Sequence, residues 1–224
     1  MTTIVKISGK PIAQPEQSLQ LWQDIARAAV GARLVIVHGG GMQVDALMAR
    51  LGEPVAREGG IRLTPSSQMP FVAGVLAGQV NQEIVGLLRR AGAQAVGISL
   101  ASADVVLAEV DPAVGGRVGR VTGGDAGLIE TLLRAGYLPV VSSIGCAADG
   151  GLLNINADAA AAGVAKGIGA DRLLMLTDVA GVLDASGELV PRLDGASAAS
   201  LIEAGVISGG MTAKVRAAIG LAES

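Results

Sequence analysis

Lys6 stands in an apolar run between Val5 and Ile7, just before Ser8-Gly9. An ammonium group is costly to bury there without a partner. Lys6 therefore either snorkels to water at the end of a strand or aims its charge at a phosphate beside the glycine turn. His38-Gly39-Gly40-Gly41 sits between a second apolar run and a helical pattern. Glycines let the backbone approach an anion, and a helix start offers free N–H groups and the positive end of the dipole. The plainer reading is a tight turn. The triplet matches neither G-x-G-x-x-G nor G-x-x-x-x-G-K-[ST], so those two phosphate-binding designs are not written here. Asn154-Ile155-Asn156-Ala157-Asp158 opens an Ala-rich stretch, with Asn156 suited to an N-cap and Asp158 to the first turn. By itself this is also just a well-capped helix. Lys214 closes Ser208-Gly209-Gly210-Met211-Thr212-Ala213-Lys214 and is either a ligand contact or a solvated helix lysine. The planar fork of Arg62 suits a carboxylate, or the residue lies on the surface.

Other chemistries have little to work with. His38 is the single histidine, which leaves no His-rich metal site and one candidate for a Ser-His-Asp triad. It reads as a structural residue hydrogen-bonded within the glycine loop. Cys146 is the only cysteine and reads as a buried small residue, with no disulfide framework or Cys-based zinc site available. The chain has one Trp, one Tyr and one Phe against 33 Gly, so stacking on nucleic-acid bases is nearly excluded. A net charge of −3 and no basic stripe argue against a nucleic-acid partner. No uninterrupted apolar run reaches about 18 residues, so no membrane span is expected. With half of its 224 residues apolar, the chain can build a core from Ala, Val, Leu and Ile. The expectation is a cytoplasmic protein of glycine-rich α/β type.

The elements that must position these residues follow from periodicity. Residues 3–8 are short and β-branched and stop at Gly9, a strand. Residues 16–30 carry apolar positions at helical spacing up to Gly31. Residues 34–37 read as a strand buried on both faces, and a helix then runs to Gly52. Residues 55–63, with Gly59-Gly60, suggest a small hairpin. Thr64-Pro65 is expected to open a long helix reaching Arg90, with Thr64 as its N-cap. Residues 95–99, 138–142 and 172–176 read as strands, and 105–121 as a hairpin excursion. Residues 125–135 and 156–167 read as helices, residues 149–151 as a turn, and further helices lie around Leu201 and over 211–221. Strands alternating with helices imply a parallel sheet with helical crossovers.

The order K-I-S-G at residues 6–9, V-I-V-H-G-G-G at 35–41, G-I-R-L-T-P at 60–65, N-I-N-A-D at 154–158, T-D-V-A-G-V at 177–182 and G-G-M-T-A-K at 209–214 resembles the amino-acid kinase family, over essentially the whole chain. Within it the pattern is most similar to the N-acetylglutamate kinases of arginine biosynthesis. The resemblance implies a three-layer αβα sandwich around a mainly parallel open sheet, usually as a homodimer. It implies an N-terminal lobe, 1–160, for the acyl substrate and dimerisation, and a nucleotide-binding lobe, 161–224. It implies transfer of the ATP γ-phosphoryl group to the side-chain carboxylate of N-acetyl-L-glutamate. By position, Lys6 and Lys214 would stabilise the transferring group, and Asp158 would hold the two ammonium groups. Gly9, Gly40 and Gly41 would offer backbone N–H groups, and Arg62 and Asn154 would bind around the substrate's α-carboxylate. Asp178, Val179, Ala180, Gly181, Val182 and Leu183, with Val206, Ile207 and Ser208, would hold the nucleotide. Magnesium is expected to travel with ATP, held by phosphates and water and not by a protein metal site.

Two departures qualify this. Ser8 stands where the family usually has the first glycine of K-x-G-G. The sequence stops soon after Lys214, where family members usually add another strand, so the C-terminal end is expected to be shortened and arginine inhibition absent. Two other functions remain open. One is a kinase for aminoadipate attached to a carrier protein. The other is a catalytically silent protein that binds nucleotide or amino acid.

Overall fold

The structure is a computed structural model that describes residues 1–177 and 179–222. Its first strand, β1 (Thr2–Ile7), shows how the layers arise. Val5 and Ile7 enter one apolar cluster, while Ile4 enters another on the opposite face. β2 (Arg33–His38) divides the same way, with Leu34 and Ile36 on the first side and Val35 and Val37 on the second. Successive side chains of a strand point to opposite faces, so a strand apolar at every position needs cover on both.

Between β1 and β2 run α1 (Lys10–Ala13), a 3-10 turn (Pro15–Ser18) and α2 (Leu19–Ala29). α3 (Gly41–Leu51) follows β2 and stops at Gly52, whose φ of +71° is the left-handed cap that glycine adopts without strain. β3 (Arg57–Glu58) and β4 (Ile61–Arg62) form a hairpin. α4 (Met69–Ala73) continues through a π-helical turn (Gly74–Val80) into α5 (Asn81–Arg90). Then come β5 (Ala95–Ser99), β6 (Leu107–Val110), β7 (Val118–Gly123), α6 (Gly127–Arg134), β8 (Leu138–Ser142), β9 (Ile144–Cys146) and β10 (Leu152–Ile155). The chain closes with α7 (Ala157–Gly167), β11 (Arg172–Met175), α8 (Gly195–Glu203) and α9 (Gly209–Ala222).

The main sheet has the order β11-β1-β2-β8-β5 and is parallel throughout. Its register brings Ile7 beside His38 and His38 beside Ser142, so the carboxyl ends of the central strands come level. A second sheet, β6-β7-β10-β9, mixes parallel and antiparallel pairs. On one face of the main sheet, Trp22 and Ile25 of α2, Met48 of α3 and Ile84 and Leu88 of α5 close the first cluster. On the other, Ile129 of α6, Ala160, Ala161, Val164 and Ala165 of α7 and Leu153 and Ile155 of β10 close the second. This is an α/β fold with helices on both sides of a parallel sheet. Each buried Val, Leu or Ile contributes about 1.5–3 kcal/mol through the area removed from water. A third, smaller cluster joins Ala198, Ile207 and Val215 around α8 and α9.

The long helix begins later than its sequence suggests. Thr64 does not cap it: its hydroxyl donates to Arg62 O and accepts from Asn154. Pro65 O closes a turn onto the N–H groups of Gln68 and Met69, and Pro70 takes the first-turn position. The rod Met69–Arg90 is long and apolar enough to cross a membrane by composition. Its apolar side, including Met69, Val72, Val80 and Leu88, is built into the first cluster, while Gln82, Glu83, Arg89 and Arg90 are exposed. Residues 16–30 are not one helix but a 3-10 turn followed by α2. The β9–β10 hairpin around the turn at 149–151 did not show in the sequence, and Cys146 within it is half-buried, not buried.

Candidate active site

A cleft of ≈ 190 Å³ opens at the carboxyl ends of β1, β2 and β10, where open α/β sheets place their ligands. β1 delivers Lys6 and Ser8 to it, and the β2–α3 junction delivers Gly39, Gly40 and Gly41. β4 brings Arg62, β10 brings Asn154, and the start of α7 brings Asn156 and Asp158.

Lys6 is 3% exposed, so its charge does not reach water. Its Nζ lies 2.7 Å from Asp158 Oδ1, an ion pair off the line of a good hydrogen bond, and donates to Ser8 Oγ at 2.8 Å. Lys214 Nζ donates to the other oxygen, Asp158 Oδ2, at 2.9 Å. Two ammonium groups from opposite ends of the chain thus share one carboxylate. Burial pushes the Lys6 ammonium below the usual lysine value, Asp158 opposes this, and the nearby charge of Lys214 adds to it. The three groups together keep one positive charge in excess, in surroundings that screen poorly.

Two helices start at the cleft. α3 begins at Gly40 with no side-chain cap, so the backbone N–H groups of its first turn have no intrahelical acceptor. Gly40 has no room for a side chain, since a Cβ there would stand 2.8 Å from Leu76 Cδ2 and 3.1 Å from Val80 Cγ2. α7 begins at Asn156, whose Oδ1 accepts from the N–H groups of Asp158 and Ala159.

Arg62 is buried, not on the surface. Its Nη2 bonds Asp45 and donates to Gly41 O at 3.2 Å, while Nη1 is buried with no partner. A buried, unsatisfied guanidinium N–H costs free energy, and an acceptor entering the cleft would relieve it. Asp45 also accepts from Arg57 at 2.6 Å. Burial works to raise the Asp45 pKa, but the bonds from Arg57 and Arg62 prevail and hold it below the usual carboxylate value. Asn154 Nδ2 donates to Thr64 Oγ1 at 2.9 Å, which ties it to the strand that carries Arg62. His38 is fully buried, and its Nδ1 lies 2.8 Å from Gly39 O, as expected for a structural residue of the glycine loop.

The remaining expected residues lie outside the cleft. Gly9, at φ +74°, follows Ser8 and begins α1, with its carbonyl accepting from Ile12 and Ala13. Val182 and Ile207 come together in the third cluster, to which α9, the helix that carries Lys214, contributes Met211, Val215 and Ile219. Val206 is half-buried, Val179, Ala180, Leu183 and Ser208 are exposed, and Gly181 lies against Leu189. Asp178 lies outside the described residues. Asp45, Ser143 and Asn81 were not singled out in the sequence. Asp45 follows the glycine triplet by one helical turn, a spacing that could have flagged it. Nothing local flags Asn81. Among the described residues no three His, Cys, Asp or Glu side chains gather to hold a metal ion.

The chain is 43% identical over 226 residues to the acetylglutamate kinase of Aeromonas salmonicida, spanning 100% of this chain and 86% of that one. It is 41% identical to the acetylglutamate kinase of Sodalis glossinidius, over 99% and 86% of the two chains. The crystal structure of a Streptococcus mutans UA159 protein superimposes with a TM-score of 0.82 at 32% identity, covering 98% of this chain and 89% of that one. The model of the amino acid kinase family matches residues 1–224, and the chain belongs to that family.

Proposed function

We propose that this protein transfers the γ-phosphoryl group of ATP to the side-chain carboxylate of N-acetyl-L-glutamate, forming N-acetylglutamyl phosphate and ADP in arginine biosynthesis. The observation that carries the reading is one buried carboxylate holding two ammonium groups beside an uncapped helix N-terminus. The relatives named acetylglutamate kinase, at 41–43% identity over nearly the whole chain, support the choice of acceptor. A carboxylate oxygen attacks the γ-phosphorus, the bond to the β–γ bridging oxygen breaks, and ADP leaves. The acceptor is already ionised near neutral pH, so no general base is needed. Catalysis then rests on positioning and charge stabilisation.

In this reading Lys6 and Lys214 meet the oxygens of the transferring group from two sides, and Asp158 sets their spacing. The backbone N–H groups of Gly9, Gly40 and Gly41 receive phosphoryl oxygens. Arg62, through its unpaired Nη1, and Asn154 hold the α-carboxylate end of the acceptor. Asp178, Val179, Ala180, Gly181, Val182 and Leu183 with Val206, Ile207 and Ser208 hold the nucleotide. Magnesium arrives with ATP and neutralises phosphate charge. Residues 1–160 serve the acyl substrate and 161–224 the nucleotide. We place the enzyme in the cytoplasm and as a homodimer.

A hydroxylamine trap for acyl phosphate tests this directly, run with ATP, magnesium and either N-acetylglutamate or carrier-bound aminoadipate. Hydroxamate formed from N-acetylglutamate is the expected result. Product only from the carrier-bound acceptor would reassign the substrate. ATP binding without product from either would make the protein a silent binder.

A further inference from the structure

His38 makes two contacts that fix its chemical form. Asn81 Nδ2 lies 2.9 Å from Val140 O and 3.3 Å from Ile98 O, so the amide turns its nitrogen side toward these carbonyls. The same Nδ2 stands 3.0 Å from His38 Nε2. The amide has two hydrogens: one serves Val140 O, and of the other two acceptors Nε2 is nearer, at 3.0 Å against 3.3 Å for Ile98 O, so Nε2 carries the lone pair and the proton sits on Nδ1. Nδ1 is 2.8 Å from Gly39 O, which needs that donor. The two ends of the ring therefore demand the same tautomer. The ring is fully buried, and burial lowers its pKa to about 4, which keeps it neutral at pH 7.

The helix that supplies Asn81 is irregular where it meets the loop. In an α-helix residues three and four apart share a face, but residues five apart do not. The π-helical turn Gly74–Val80 takes up an extra residue. It allows Leu76 and Val80 to press on Gly40 while Asn81 reaches His38. The peptide joining Gly39 to Gly40 is planar and trans. With its carbonyl held at the His38 ring, its N–H must point the opposite way.

We infer that Asn81 is a positioning residue: acting through the Nδ1–H form of His38, it holds the Gly39 carbonyl and so aims the glycine loop at the group being transferred. This rests on the kinase reading for what the loop receives, but its geometry can be tested without activity. The chain has one histidine, so ¹⁵N-histidine labelling yields one imidazole. In the wild-type protein at neutral pH, the long-range ¹H–¹⁵N spectrum should show protonated Nδ1 and unprotonated Nε2. An Nε2–H tautomer or a doubly protonated ring would overturn the inference. Kinetics then separate two substitutions. In His38→Asn the amide nitrogen falls where Nδ1 stood and keeps the donor to Gly39 O. In His38→Gln the amide reaches the Nε2 position, where its oxygen can accept from Asn81 as Nε2 does, but no donor remains at the Nδ1 position to hold Gly39 O. His38→Asn should keep turnover close to wild type, while His38→Gln and Asn81→Ala should lose about 10- to 100-fold in kcat with KM little changed. Equal losses in the two His38 variants, or unchanged kcat in soluble, folded His38→Gln, would overturn it. If Asn81→Ala does not fold, the wild-type spectrum and the His38 pair still decide. A wild-type enzyme that traps no acyl phosphate would sink the kinase reading and leave the spectrum to judge the tautomer.

Discussion

α3 and α7 both begin at the cleft, and their first turns are built in opposite ways. α3 starts at glycine, with no side chain on its free N–H groups. α7 starts at Asn156, which spends two of its N–H groups internally and presents Asp158. Both ends carry the same partial positive charge. One is left open, where an anion can bind. The other is closed by the chain's own amide and carboxylate, and that carboxylate gathers Lys6 and Lys214. A helix start is therefore an anion site only when its own sequence declines to cap it, and a capped start is a platform for side chains.

If this division is right, the lysines gathered at α7 should show the largest effect. Lys214→Met should lower kcat about 10³-fold with KM changed far less, measured by steady-state ADP release. Near-normal turnover would break the comparison at its centre. Asp158→Asn should cost about 3 kcal/mol of stability in urea unfolding, because Lys6 stays buried without its counter-charge. It should lower turnover as well. Gly40→Ala probes the open helix start. Its methyl would meet Leu76 and Val80, so a stability loss of about 1–3 kcal/mol is expected, with weaker ATP binding in calorimetry. Asn156→Ala probes the closed one and should cost about 1 kcal/mol, with turnover falling far less than in Lys214→Met. A drop as deep as that of Lys214→Met would mean that the two helix starts are not distinct in function.

The smallest effect is one of pH. The His38 pKa is about 4 in the fold, below the ordinary 6.5. The unfolded chain thus binds a proton first as pH falls, and stability present above 6.5 should decline between about 6.5 and about 4. Urea midpoints across that range should flatten in His38→Asn. On the alkaline side, the lowered Lys6 pKa predicts that activity is lost as pH rises, before the ordinary lysine value of 10.5 is reached.

Most of the parallel sheet was legible because its strands announce themselves. Residues 34–37 are a continuous apolar run and residues 138–141 are apolar as well, each too short for a helix and suited to a strand covered on both faces. The cap at Asn156 was equally local. Thr64 misled for a physical reason. Its hydroxyl has the type and place of a helix cap, but Asn154, 90 residues away, claims it. β9 has only three residues, Gly145 among them, and β10 only four, so neither period stands out. From the residues alone Lys6 and Lys214 each carried two open readings; burial answers the question for Lys6, and the carboxylate it shares with the half-buried Lys214 shows where that second ammonium is aimed.

What the sequence determined alone was local: which stretches pair as strands, where glycine opens a helix start, and which cations and amides were available. Those follow from side-chain period and backbone freedom over a few residues. That residues 6, 158 and 214 meet was implied by the family resemblance and by no local pattern; the tertiary structure shows the contact, and it alone decided that Arg62 keeps one buried nitrogen unpaired and that a π turn carries Asn81 to the single histidine. Each of these is a contact between positions far apart in the chain. Its energy depends on desolvation and distance, which no local pattern encodes.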